Sequence, residues 1–148
     1  MKIAAVIYII FGAFLPLSSF SQVQIPSLKN SVIQHDGPIV IDNSRLRYVE
    51  MRTSETVTLK GRNVRLTKVK IEADEIILGA PITTIRTSGD IVMICRDVDL
   101  SGHKIRFRKR FPFVRTHVSI EYSGNLIGDG LEIYGSNYQR VSVVKKER

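Results

Sequence analysis

A short frame, apolar–x–small–x–x–apolar–x–apolar, recurs along this chain and commits it to strands. It is read in Ile71, Ala73, Ile76 and Leu78, and upstream in Ile41, Asn43, Leu46 and Tyr48. It returns as Leu100, Gly102, Ile105 and Phe107, and again as Leu126, Gly128, Leu131 and Ile133. The four copies start 30, 29 and 26 residues apart, within the range of repeated supersecondary units. Before the small residue, Val69, Ile71 and Ala73 alternate, which aims one row of side chains inward. The step from Ala73 to Ile76 is three residues, so strict alternation would put Ile76 on the wrong face. A bulge or sharp corner restores the phase, and a small residue suits it.

A second alternating strand follows most copies: Val57 and Leu59, Val118, Ile120 and Tyr122, Val141 and Val143. The unit predicted is strand, corner, strand, turn, strand. From Ile39 to Val144 apolar residues run in twos, with Val, Ile, Thr and Tyr abundant, and Gly61, Ser88-Gly89, Ser123-Gly124 and Gly135-Ser136 mark turns. No segment has the period of a helix. The expected class is all-β, in one domain over residues 38–148, with 22–37 as a leader carrying Pro26 and Gly37-Pro38.

The first 21 residues are of another kind. Lys2 precedes the apolar run Ile3 to Leu17, and Ser19 and Ser21 sit at −3 and −1 of a cleavage site before Gln22, which reads as a secretory signal peptide. Its competitor is a retained membrane anchor, since Ile3–Phe20 carries no charge. Cleavage leaves 127 residues, enough for one domain with a core. The expected location is the periplasm, or its inner-membrane face if the segment is retained. The chain has 22 basic and 14 acidic residues; without Lys2 the charge is +7. Behind an export signal that charge points to lipid phosphates, acidic polysaccharide or a membrane surface rather than nucleic acid. One cysteine, Cys95, allows no intrachain disulfide and sits in the alternating run Ile91, Met93, Cys95 as a core thiol.

Catalytic and metal chemistry find little support. Asp97-x-Asp99-x-Ser101-Gly102 opens like a calcium loop, but Arg108 stands where the bidentate Glu belongs. His35, His103 and His117 have no metal-ligand spacing and read as surface residues. No nucleophile motif occurs. The expectation is a protein that is not an enzyme, without cofactor or metal. The most unusual polar stretch is Lys104–Arg115. Alternation sends Ile105 and Phe107 to one face and Lys104, Arg106 and Arg108 to the other, while Lys109 and Arg110 extend the positive field. Such a strand is either a solvated edge protected from unwanted pairing or an anion platform that grips phosphate with guanidinium groups.

The stretches Ile41–Tyr48, Leu59-Lys-Gly61, Ile71–Leu78 and Ser88–Val92 are similar to the OstA-like family, the LptA- and LptC-like periplasmic proteins of lipopolysaccharide transport. The resemblance runs from about Ile39 to Val144. Asn43, Gly102 and Gly128 replace the alanine of the family motif. It implies an incomplete β-jellyroll of rolled antiparallel sheets, with acyl chains of lipopolysaccharide or another anionic amphiphile held between them. Leu46, Ile71, Ile76, Leu78, Leu100, Ile105, Phe107, Leu126, Leu131 and Ile133 would line that interior. Lys104, Arg106, Arg108, Lys109 and Arg110 would meet the anionic head group. Modules of the family join edge to edge into a bridge between inner and outer membrane. The partners implied are other lipopolysaccharide-transport proteins, with head-to-tail self-association through Ile39–Asp42 and Arg140–Val144. The same repeats also suit a parallel β-solenoid with a structural or adhesive role and no interior ligand.

Overall fold

Neighbours in the chain do not pair; each strand finds its partners one coil before and one coil after. The computed structural model describes residues 21–78, 84–101, 105–109, 115–128, 131–132 and 139–147. The segment read as a signal peptide lies outside them, apart from Ser21. A short sheet holds β1 (Val23–Ile25), β3 (Ile39–Asp42), β5 (Thr56–Lys60), β7 (Glu75–Leu78), β9 (Asp97–Asp99) and β12 (Leu126–Ile127), in that order. A longer sheet holds β2 (Leu28–His35), β4 (Arg45–Thr53), β6 (Val64–Glu72), β8 (Thr84–Cys95), β10 (Ile105–Lys109), β11 (Thr116–Tyr122), β13 (Leu131–Glu132) and β14 (Gln139–Lys145). Each described ladder is parallel: Val23 faces Ile39, Ile39 faces Val57, Val57 faces Ile76, and Ile76 faces Val98. The class is all-β, and of the two architectures admitted by the sequence the ladders are those of the parallel solenoid. The antiparallel pairing of a jellyroll is not found among the described residues.

Each long strand bends at one residue in the left-handed region. Asn30, Tyr48 and Lys68 have φ of 51°, 53° and 47°, and Gly89 has 69°. The residues before and after Asn30, Tyr48 and Lys68 pair coil to coil, and at Gly89 one extra residue, Asp90, shifts the register so that Val69 pairs with Ile91; the four bends stack in one column. A coil therefore has three arms: the short-sheet strand (arm 1), the stretch up to the bend (arm 2) and the stretch beyond it (arm 3). In the fifth coil two strands stand beside β8: β10 pairs with its first half, and β11 with its second half. The corner between arms 1 and 2 is also left-handed, at Asn43 (52°) and Gly61 (100°). There Asn43 Oδ1 accepts hydrogen bonds from the amides of Arg62 (2.8 Å) and Asn63 (3.1 Å), which ties one coil to the next.

Alternation along each arm fills the space between them. Ile39, Val57, Ile76 and Val98 stack from arm 1, Leu46 and Leu66 from arm 2, and Val49, Val69, Ile91 and Val118 from arm 3, all inside one cluster with Cys95. Each such side chain contributes about 1.5–3 kcal/mol by leaving water. Three expectations are corrected. Residues 22–37 are not a leader but the first coil, because Ile25, Leu28 and Ile33 continue the inward rows. Ile39–Asp42 is not an edge: it is paired on both sides, by β1 and β5. The period is one coil of about 20 residues, not about 30. Ile41–Asn43–Leu46 turns from arm 1 to arm 2, whereas Ile71–Ala73–Ile76 turns from arm 3 to arm 1. The three-residue step at Ala73 is a corner, as its phase requires.

Candidate anion-binding face

Stacking in register turns a residue type repeated once per coil into a line along the molecule. Arg45 lies beside Arg65, Arg65 beside Arg86, and Arg86 beside Arg108, on the outward side of arm 2. With rungs about 4.8 Å apart, four guanidinium side chains spring from a line about 14 Å long. Arg45, Arg86 and Arg108 are exposed and Arg65 is half-buried. The next outward column is Lys29, Arg47, Thr67 and Ser88, so neither column holds a carboxylate. Like charges set side by side oppose pairing, by about 1 kcal/mol for each pair 4 Å apart in water. The fold carries this repulsion on four successive rungs.

The bend column borders this field with an aromatic. Tyr48 is 44% exposed, and Arg47 Cζ and Lys68 Nζ each lie 5.8 Å from its ring centroid. Arg47 Nε is buried without a hydrogen-bond partner. On the other side, a depression of about 300 Å³ is lined by Ser27, Asn43, Arg45, Asn63 and Arg65. The column thus runs between a ring and a pocket of amide, hydroxyl and guanidinium groups.

Arm 3 is built otherwise. Its outward columns mix signs: Arg52 Nε meets Glu72 Oε2 at 2.6 Å, and Lys70 Nζ meets Glu72 Oε1 at 2.9 Å. The Lys70 hydrogen bond, opposed by burial and helped by Arg52, holds the Glu72 carboxyl below its usual range. At the corners, the Asn125 amide and then Arg96 keep Asp97 ionised to lower pH. Asp99 Oδ1 accepts from the Ser101 amide at 2.8 Å. The two aspartates of the abortive calcium loop are therefore turn-holding groups. On arm 3 and at the corners Arg52, Lys70 and Arg96 are paired with carboxylates, whereas the two outward columns of arm 2 carry no carboxylate of their own.

The ten residues expected to line an interior are distributed unevenly. Leu46, Ile71, Ile76, Leu78 and Phe107 are 0% exposed and Leu100 3%, all in the packed core. Leu126 is 43% exposed, although it pairs with the inward Val98, since among the described strands β12 is the last of its sheet. Ile105 and Leu131 face each other on β10 and β13, and Ile133 lies outside the described residues. Of the five expected head-group contacts, Arg108 joins the column. Arg106 pairs with Thr84 and Lys109 with Thr87 along β10, while Lys104 and Arg110 lie outside the described residues. Arg45, Arg65 and Arg86 were missed, although their spacing of 20, 21 and then 22 residues to Arg108 was there to be found. His35 is not a surface residue: it is 6% exposed, with Nε2 3.2 Å from the Ser21 carbonyl. His117 is exposed, beside Ser142 Oγ at 3.2 Å, and His103 lies outside the described residues. Cys95 is buried, its thiol 3.7 Å from the Glu121 carbonyl.

The fold and this face define a parallel β-solenoid with a basic stripe along one arm. No protein-family model, curated protein or solved structure matches the chain. The likeness to the OstA-like family rests on the residues quoted for it.

Proposed function

We propose that this protein is a non-catalytic structural or adhesive β-solenoid of the cell envelope, which meets an anionic envelope component on its arm 2 face. One observation carries the reading. Six of the ten residues that would have lined a lipid cleft, Leu46, Ile71, Ile76, Leu78, Leu100 and Phe107, are themselves packed interior, so the chemistry left for a partner is sought outside, along the arginines. Among the described residues, His35 and His117 reach the Ser21 carbonyl and Ser142, and Asp97 and Asp99 hold turns. The apolar run from Ile3 to Leu17 supports export, with the periplasm as the destination.

The second reading is an OstA-like module carrying lipopolysaccharide between the membranes. It draws support from the quoted sequence likeness and from a basic face suited to phosphate, and it requires acyl chains to enter where side chains now pack. Native mass spectrometry of the exported protein, purified without detergent, separates the two. A solenoid with a solid interior travels as the bare chain, and its retention on an anionic envelope extract falls steeply with salt. A stoichiometric bound amphiphile would overturn the structural reading in favour of the carrier.

A further inference from the structure

We infer that two copies of this chain join tail to tail, each adding its β14 to the other's sheet as an antiparallel neighbour about a two-fold axis at Ser142. The C-terminal coil is the more open end. Inward residues of the first coil are already buried, with Ile25 and Ile33 each 1% exposed. In the last coil the inward Leu126 is 43% exposed, and Val141 and Val143 are only half-buried against the core. Among the described strands β11 is the one neighbour of β14. The head-to-tail contact implied by the family resemblance lacks such a pair of edges, since Ile39–Asp42 is held between β1 and β5.

The backbone of β14 shows which of its groups face outward. The Lys146 amide donates to the Tyr122 carbonyl at 2.8 Å, so Lys146 turns its amide toward β11. Successive residues of a strand turn to opposite neighbours, so Ser142 and Val144 share that side, while Val141, Val143 and Lys145 turn theirs away from β11. The strand then pairs with itself. A two-fold at Ser142 sets Gln139 against Lys145, Arg140 against Val144, Val141 against Val143, and Ser142 against its own copy. No like charges stand opposite, the inward valines meet valines, and the whole strand is used. Val141 with Val143, and Gln139 with Lys145, become the hydrogen-bonded pairs, giving about eight bonds across the join. Moving the axis to Val143 would instead set Arg140 against Lys146 and Val141 against Lys145. Lys146 itself is matched within its own copy, its Nζ 2.9 Å from Glu121 Oε2. Addition of a strand at an open edge is a general route of association, and a self-complementary contact closes as a dimer rather than growing.

The test uses the chain as exported. Sedimentation equilibrium should show a monomer in balance with a dimer and nothing larger. Ser142→Cys should cross-link into a disulfide dimer in oxidised glutathione, because residues at the axis form a non-hydrogen-bonded pair with Cα atoms about 4.5 Å apart. Ser119→Cys lies one rung away in the same outward column, on a strand paired on both sides. It should cross-link at less than about a tenth of that rate. Val143→Pro removes an amide that faces away from β11, so circular dichroism should show the fold kept while association weakens at least about tenfold. Hydrogen exchange reads the parent chain directly: raising its concentration should slow the Val141 and Val143 amides. A monomer at every concentration overturns the inference, as do equal cross-linking at Ser119 and Ser142 or a dimer that Val143→Pro leaves intact. Growth into longer rods overturns the two-fold contact, because rods need a second, different edge. If Val143→Pro fails to fold, the pair of cysteine variants decides alone.

Discussion

Gly61 shows how narrowly a single position can be set in this molecule. Its φ is 100°, and a methyl group there would come within 2.6 Å of both Asn43 Oδ1 and Asp42 Oδ1. Those oxygens cannot retreat freely, since Asn43 Oδ1 already receives two amides of the next coil. Gly61→Ala should cost about 1–3 kcal/mol in chemical denaturation, with the arginines untouched. Acid should act through a different pair of residues. The carboxyls of Glu72 and Asp97 are held below their usual range, the first by Lys70 and Arg52 and the second by the Asn125 amide and Arg96. A folded-state pKa below the unfolded one adds stability above the unfolded value, and that stability is lost as pH falls through the folded value. Stability measured by urea titration should therefore drop on acidification below about pH 4. The slope should be shallower in Glu72→Gln and in Asp97→Asn.

Among the elements, strand content was plain in the sequence and coil length was not. Val57 and Leu59, or Val118 and Ile120, alternate cleanly and lie buried where alternation puts them. The corner at Ala73 followed from phase alone. The misread period has a physical cause: a small residue with a three-residue step serves two different corners of the coil. Ile41–Asn43–Leu46 and Ile71–Ala73–Ile76 look like copies of one unit although they sit at different vertices. The bends at Tyr48 and Lys68 were illegible, because neither residue type favours the left-handed region and only stacking on neighbouring coils holds them there. The arginine column was overlooked because its steps of 20, 21 and 22 residues match the true coil and not the period of about 30. Phe107, on β10, tests the solidity of the interior. It pairs with Ile85 and is 0% exposed. Phe107→Ala should cost about 3–5 kcal/mol by thermal or urea denaturation, with no amphiphile taken up into the space. A loss well under that range would indicate an interior that is not filled.

At the scale of the molecule, a solenoid is held by neighbours only, so its ends are its weak points. Among the described strands β12 is terminal in the short sheet, with Leu126 and Ile127 43% and 49% exposed, and β14 is paired by β11 alone. Hydrogen exchange should be slowest in β4, β6 and β8 and should quicken toward β12 and β14. Uniform protection would contradict a chain of neighbour contacts. The register between Arg45 and Arg65 also makes this protein a ruler with removable divisions. Excising residues 45–64 joins Ser44 to Arg65 and deletes one full circuit of the chain, leaving the path on either side as it was. The shortened protein should fold, stand one division lower, and carry three arginines in place of four.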